Sequence, residues 1–141
     1  MGNDDIQFYI GVKALIENPE GKVLLLKAVP HKPGQNFAPY WDLPGGKMQD
    51  PGVKETLVRE VEEETGIKGI KVGQLYAAVT ANFRINDGKD NLLFLIYRCS
   101  TDGGAEIRLS KEHSEYKWVP IEEARQHLSF MLPKEFLDEL R

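Results

Sequence analysis

Cysteine and long apolar runs are both scarce in this sequence of 141 residues. Its single cysteine, Cys99, excludes an internal disulfide framework and a multi-cysteine zinc site. Its longest apolar run, Leu92–Tyr97, is far too short to span a bilayer. The acidic start of the chain has no apolar segment typical of a signal peptide. We therefore expect a cytoplasmic protein that does not bind membranes.

Basic residues are in the minority, with 18 Lys and Arg against 22 Asp and Glu and a net charge of −4. This balance gives no general basic surface, so nucleic acid is not expected as a partner. Two phosphate-binding motifs are also missing. No Gly-Lys pair is followed by Ser or Thr, and no G-x-G-x-x-G occurs. These absences exclude a P-loop and a dinucleotide-binding fingerprint.

The periodicity of apolar residues predicts an α+β fold with a mixed sheet between helical layers. Strands are predicted over Ile6–Leu15, Val23–Ala28, Trp41–Leu43, Lys71–Phe83, Asn91–Cys99 and Tyr116–Val119. Helices are predicted from Pro51 or Val53 to Thr65, and over Ile121–Leu128 and Pro133–Leu140. Turn residues at 18–22 make the first two strands a hairpin. Because no linker or repeat is found, we expect a single domain over residues 1–141.

An acidic helix is the most informative segment of the chain. On a helical projection, Glu60, Glu63 and Glu64 share a face of less than a third of the circle. The adjacent side carries apolar residues that would pack on the sheet: Leu57, Val58 and Val61. Like charges at this spacing repel, and Arg59 pairs with only part of the face. A hard divalent cation such as Mg²⁺, which prefers oxygen ligands, would neutralise it. Taken alone, such a helix is more typical of a solvated surface that binds no metal.

The residues around this helix resemble the Nudix box, the signature of the Nudix hydrolases, G-x5-E-x7-R-E-U-x-E-E-x-G-U with U aliphatic. The stretch Arg59–Ile67 matches its whole second half, and Leu43–Lys47 resembles its lead-in. The first half departs from the pattern, because Gly52 stands where the first Glu is expected after Gly46. Asp50 is the nearest acid, and it either replaces that Glu or acts as an N-cap.

The resemblance implies a Nudix-like α/β/α sandwich and a metal-dependent pyrophosphohydrolase. By the same resemblance, Glu60, Glu63 and Glu64 are ligands of Mg²⁺ or Mn²⁺, with Glu63 and Glu64 also counted as catalytic. A backbone carbonyl at Gly46, or at its neighbour in the turn, joins these ligands. Arg59 orients the carboxylates through a salt bridge.

Many Nudix enzymes place a further Glu from outside the box near the metal. Glu112 and Glu115 are the candidates here, and Glu115 is favoured because it directly precedes a predicted strand. His113 lies between them and is either a base near neutral pH or a solvated loop residue. Lys47, beside the Gly-Gly turn, is the candidate for contact with substrate phosphate.

Aromatic residues offer surfaces on which a nucleobase can stack, although each is equally typical of a core. The candidates are Phe8, Phe37, Tyr40, Tyr76 and Phe83. Cys99 ends a predicted strand and is expected to be a small buried residue rather than a nucleophile.

The resemblance also implies a small-molecule substrate, a nucleoside diphosphate linked to another group. The first strand begins early, without the N-terminal region that ADP-ribose hydrolases of the family often carry. The compact size therefore favours MutT-type hydrolysis of a (deoxy)nucleoside triphosphate. The alternatives are ADP-ribose or another nucleotide derivative, and a non-catalytic nucleotide-binding Nudix module, which the departure in the first half of the box favours. Both monomer and homodimer remain open.

Overall fold

The computed structural model describes residues 4–141, so the first three residues of the predicted domain lie outside the described part. Seven strands form, in chain order β1 (Phe8–Glu17), β2 (Val23–Ala28), β3 (Tyr40–Asp42), β4 (Gly45–Lys47), β5 (Lys71–Thr80), β6 (Asn91–Ser100) and β7 (His113–Val119). Three helices accompany them: α1 (Val53–Thr65), α2 (Ile121–His127) and α3 (Lys134–Glu139). Among these described residues, no helix is both long enough and apolar enough to cross a membrane.

The sheet is mixed, as the sequence predicted. Strands β1 and β6 pair in parallel, while β5 pairs with β6 in the antiparallel sense. Strands β1 and β2 pair only next to the turn that joins them, where Glu17 faces Val23. Beyond that pair, β4 lies against β1, and β3 and β7 flank β2. The two halves of the sheet therefore part beside β4, and the candidate site lies at this opening.

Alternate residues of β1 pack into two separate cores, which defines the layers. Ala14 and Ile16 pack with Leu57 and Val61 of α1 on one face of the sheet. Leu15 packs on the other face, in the core that the C-terminal helices complete with residues such as Leu128. This alternation follows from the two-residue period of a strand. It gives the α/β/α sandwich that the sequence analysis predicted.

The predicted element boundaries need several corrections. The first strand, predicted over Ile6–Leu15, runs over Phe8–Glu17. The fifth strand leaves the sheet at Thr80, three residues before the predicted end at Phe83. The last strand begins at His113 rather than Tyr116. The pair Gly45 and Gly46, for which a turn was predicted, belongs to a strand, β4. Glycine is disfavoured in strands because it has no side chain to pack, so sequence patterns miss a strand that backbone pairing alone defines.

Candidate active site

Helix α1 presents its acidic face to the opening in the sheet. Gly66 ends the helix in the left-handed conformation, with φ of 80°, and its N–H donates to the Glu62 carbonyl at 2.9 Å. The helix begins after Gly52, so the alternative of Asp50 as its N-cap is wrong. Asp50 instead accepts a hydrogen bond from the Gly52 N–H at 3.0 Å, forming a turn before the helix.

Glu64 is buried where α1 meets β4. Only 5% of the residue is exposed, and its Oε1 accepts a hydrogen bond from the Gly45 N–H at 2.8 Å. Burial raises the pKa of the Glu64 carboxyl to about 8, although the charge of Lys13 and the Gly45 hydrogen bond both act against the rise. Glu64 therefore lies on the core side of the acidic face.

Glu60 packs against the second glycine of the turn. A Cβ on Gly46 would lie 2.8 Å from the carboxylate carbon of Glu60, so a side chain there would displace this carboxylate. Burial raises the pKa of Glu60, and the negative charge of Glu63 raises it further. Two glycines therefore hold two carboxylates of α1, one through a hydrogen bond and one through close approach.

Glu63 points toward Arg59 rather than toward the glycines. Arg59 Nη1 lies 3.6 Å from Oε1 of Glu63 and 3.6 Å from Oε1 of Glu60. Its Nη2 lies 4.0 Å from Oδ2 of Asp50. These are long, partly exposed ion pairs, which contribute little stability. They place one guanidinium among three carboxylates.

The donor chemistry of this face fits a divalent cation. As placed within residues 4–141, no three His, Cys, Asp or Glu side chains converge closely enough to hold a metal ion. Glu60 and Glu64 nevertheless supply hard oxygen donors at the glycine turn, where the Gly46 carbonyl is a further oxygen. Both carboxyls have a raised pKa because they are desolvated, and a cation would relieve that cost. The Glu63 carboxylate would have to move away from Arg59 to join Glu60 and Glu64 as a ligand.

A cavity of about 240 Å³ adjoins Glu64 and Gly45. Glu112 and His113 line its wall, with Asp42 and Tyr40 among the other lining residues. The Glu112 carboxylate lies 3.6 Å from His31 Nε2, and its charge raises the pKa values of Glu60 and Glu64.

Glu115 lies outside this cavity lining. It sits within β7 opposite Lys27, and its Oε2 is 3.4 Å from the Lys27 ammonium. The structure therefore brings Glu112, rather than the favoured Glu115, to the acidic face. The premise that Glu115 precedes the strand is wrong.

Lys47 also lies outside the cavity lining. Its ammonium is 5.3 Å from the ring centroid of Tyr9, beside the exposed edge of β4.

Several aromatic candidates come together beside the cavity. Phe37 contacts Tyr40, and Phe130, which the sequence analysis did not select, contacts both Tyr40 and Phe83. Phe130 is 54% exposed, so the row has an open surface. Two other candidates lie elsewhere: Phe8 near the start of β1, and Tyr76 against Phe136.

Cys99 is buried, as predicted. Burial raises the pKa of its thiol to about 12, which disfavours the thiolate that a nucleophile requires.

His113 is buried and uncharged at neutral pH. It is 8% exposed, and its Nδ1 lacks a hydrogen-bond partner among the described residues. Burial lowers the pKa of the imidazole to about 4, and the charge of Lys13 lowers it further. A pKa of about 4 does not suit a base at neutral pH.

Acid is expected to destabilise the protein through His113. The unfolded chain takes up the proton near pH 6.5, whereas the folded protein resists it down to about pH 4. The stability is therefore fully present above pH 6.5 and is lost as the pH falls toward 4. Between pH 7 and pH 4.5 we expect a loss of about 2 kcal/mol from this group.

Urea unfolding of the wild type and of His113→Gln at both pH values measures this loss, because the variant cannot take up the proton. Groups that do not interact with His113 contribute equally to both proteins and cancel in the comparison, whereas Glu112 and His31 interact with it. An equal loss of stability in both proteins would contradict the expectation.

Comparison with known proteins agrees with this geometry. A family model described as the NUDIX domain matches residues 8–140. The asymmetrical bis(5'-nucleosyl)-tetraphosphatase of Mus musculus is 33% identical over 103 residues, which cover 71% of this chain and 69% of the mouse protein. Nucleoside triphosphatase NudI of Klebsiella pneumoniae is 28% identical over 122 residues, or 80% of this chain and 82% of that protein.

Solved structures show the same likeness over almost the whole chain. The crystal structure of a MutT protein from Methanosarcina mazei Go1 matches with a TM-score of 0.73 and 34% sequence identity. The match covers 96% of this chain and 92% of the other. The fold, the acidic helix at its glycine turn and the family match over residues 8–140 together show that this chain belongs to the Nudix hydrolase family.

Proposed function

We propose that this chain catalyses the divalent-metal-dependent hydrolysis of a phosphoanhydride bond in a nucleoside polyphosphate. The observation that carries the proposal is the pair Glu60 and Glu64, held at Gly45 and Gly46 beside a cavity that Glu112 also lines. Glu60, Glu63, Glu64 and the Gly46 carbonyl would hold Mg²⁺ or Mn²⁺. The bound ion would neutralise phosphate oxygens and acidify a water molecule.

The protein's own residues divide the remaining work. Gly45 orients Glu64 through its N–H, and Arg59 holds Glu63 until a cation competes for that carboxylate. Glu112 is our candidate for the base that takes a proton from the attacking water, because it shares the cavity with Glu64. Glu115, whose carboxylate is paired with Lys27, is the weaker candidate for this role.

Glu112→Gln is expected to lower kcat by about 10²-fold or more, because it removes a positioned base. Glu115→Gln is the matched control, since it makes the same chemical change three residues away, outside the cavity. We expect the control to keep kcat within about twofold, as is usual for surface changes. Steady-state kinetics of both variants would test the assignment. A larger loss of kcat in Glu115→Gln than in Glu112→Gln would assign this role to Glu115, the residue favoured from the sequence.

The identity of the substrate rests on the relatives and on the aromatic row. The likeness to the mouse bis(5'-nucleosyl)-tetraphosphatase favours a dinucleoside polyphosphate as the first candidate. The likeness to nucleoside triphosphatase NudI favours a nucleoside triphosphate, the substrate expected from the sequence. In both substrates a nucleobase is linked through a sugar to a chain of phosphates. The row of Phe37, Tyr40, Phe130 and Phe83 offers a surface for the base next to the acidic face.

A panel of nucleotides tests this proposal. Dinucleoside tetraphosphates, nucleoside triphosphates and ADP-ribose would each be incubated with the protein and Mg²⁺ or Mn²⁺, and the products identified by chromatography. We expect turnover of at least one polyphosphate, and none by the double variant Glu63→Gln, Glu64→Gln. Nucleotide binding by calorimetry without any product would replace the hydrolase proposal with a nucleotide-binding module.

A further inference from the structure

Lys13 is a charged residue in the middle of an otherwise apolar stretch of β1. Its neighbours Val12 and Ala14 are fully buried, and Lys13 itself is only 7% exposed. Its ammonium donates to Oδ2 of Asp42 at 3.0 Å and to the Leu43 carbonyl at 3.3 Å. Burying two charges carries a large desolvation cost, and apolar pairs of similar size are often at least as stable. Stability alone therefore does not account for this ion pair.

The pair lies at the base of the turn that carries the two glycines. Directly after Leu43, the Pro44 carbonyl accepts a hydrogen bond from the Ala14 N–H at 2.8 Å. The next residue, Gly45, pairs with Lys13 in the register of β1 and β4, and its N–H donates to Glu64. An uninterrupted series of contacts thus runs from the Lys13 ammonium to the Glu64 carboxylate.

Asp42 also faces the cavity directly. It lines the same wall as Glu64 and Glu112, and its Oδ1 is buried without a hydrogen-bond partner among residues 4–141. The Asp42 carboxylate is held at Oδ2 by the Lys13 ammonium, and the backbone of Leu43 also interacts with it. Removing Lys13 would therefore remove the side-chain anchor of Asp42 and Leu43 on β1 and leave the segment held only by backbone pairing.

We propose that Lys13 and Asp42 are positioning residues of the active site, which hold the 42–46 turn so that Gly45 and Gly46 set the carboxylates of Glu64 and Glu60 for metal binding. This inference rests on the proposed function, in which a divalent cation binds at Glu60 and Glu64. Neither residue is assigned contact with the metal or the substrate. Their effect on the position of the carboxylates passes through the turn, as it does for residues that orient metal ligands from behind, and the Lys13 charge also acts on the Glu64 carboxylate directly.

The test replaces both charges at once with Lys13→Met and Asp42→Leu. This double variant leaves no unpaired buried charge, so we expect a melting temperature within a few degrees of the wild type or above it. We expect Mn²⁺ to bind at least about 10-fold more weakly by calorimetry. With a nucleotide that the wild type hydrolyses, we also expect kcat to fall by about 10-fold or more while KM changes little. A role confined to the core would alter the melting temperature and leave Mn²⁺ affinity unchanged.

The matched control removes another ion pair of the sheet by the same kind of change. Arg98 Nη1 lies 2.6 Å from Oε1 of Glu17 and joins β6 to β1 without lining the cavity. Arg98→Met with Glu17→Leu should keep the Mn²⁺ affinity and kcat of the wild type. Should the first double variant fail to fold, Lys13→Met with Asp42→Asn serves instead. It also leaves no buried charge and removes the ammonium that Asp42 binds, and we expect the same loss of Mn²⁺ affinity.

The two proposals fail in different ways. A folded Lys13→Met, Asp42→Leu variant with wild-type Mn²⁺ affinity and kcat would overturn the positioning role and leave the hydrolase proposal intact. A wild type that binds Mn²⁺ but hydrolyses no nucleotide would overturn the proposed function. In that case the Mn²⁺ affinities of the variants would still decide the positioning role.

Discussion

Glu64→Gln is expected to abolish most of the hydrolytic activity, lowering kcat by about 10³-fold. The change removes the charge of a predicted metal ligand but keeps an oxygen that accepts the Gly45 N–H. The variant should remain folded, because burial raises the pKa of Glu64 to about 8 and makes its ionised form costly. The contribution of Glu64 to the free energy of unfolding of the metal-free protein should fall as the pH rises from about 4.5 to 8, and the variant should lack this contribution.

Glu62→Gln is the matched control for this experiment. Glu62 is an exposed neighbour on α1, outside the cavity lining, so the same chemical change there should leave kcat within about twofold. Steady-state kinetics measure kcat, and urea unfolding of the wild type and Glu64→Gln at pH 4.5 and at pH 8 measures the pH-dependent contribution of Glu64. Equal activity of Glu64→Gln and the wild type would remove Glu64 from the catalytic set.

Gly45→Ala is expected to cost at least about 3 kcal/mol of folding free energy. Gly45 adopts φ of 147°, and an added Cβ would lie 1.9 Å from the Val12 carbonyl oxygen. The backbone of β4 would have to move away from β1. The Gly45 N–H would move with it, and its hydrogen bond to Glu64 would be lost. Urea unfolding should show the loss of stability, and the folded variant should have little hydrolytic activity.

Gly21→Ala separates the two causes of that loss. Gly21 also has a positive φ, 77°, but an added Cβ would meet no atom within 4 Å. The control should therefore cost only about 1 kcal/mol, the strain of a positive φ without a clash. If both variants lost the same stability, the close approach of β4 to β1 would not matter.

Local patterns in the sequence were sufficient for α1 and for the layers. The helix repeats apolar residues on one side and carboxylates on another, and Gly66 marks its end, so its bounds and its acidic face follow from nearby residues. The alternation within β1 likewise assigns Ala14 and Leu15 to opposite cores. Such features need no knowledge of distant contacts.

Features defined by long-range contacts could not be found in this way. Strand β4 is made of Gly45, Gly46 and Lys47, and only its pairing with β1 makes it a strand. Lys13 and Asp42 are 29 residues apart, so no local pattern joins them. A single lysine between buried apolar residues of a strand was the signal that could have identified Lys13.

The preference for Glu115 over Glu112 depended on where β7 begins. The strand starts at His113, three residues before the predicted Tyr116, so Glu115 lies inside it and pairs with Lys27. Glu112 precedes the strand and reaches the cavity. Strand ends are set by pairing with neighbours, here with β2, and the sequence of β7 alone does not reveal them.

The central claim is that a divalent cation at the acidic face of α1 is required for hydrolysis of a nucleoside polyphosphate. The most direct test is the initial rate of product release in EDTA, followed by titration with Mg²⁺, for the polyphosphate that the nucleotide panel identifies. The account predicts no turnover in EDTA and a saturable recovery with Mg²⁺ that Glu64→Gln does not show. Full turnover in EDTA, or a recovery that is the same in Glu64→Gln, would contradict it.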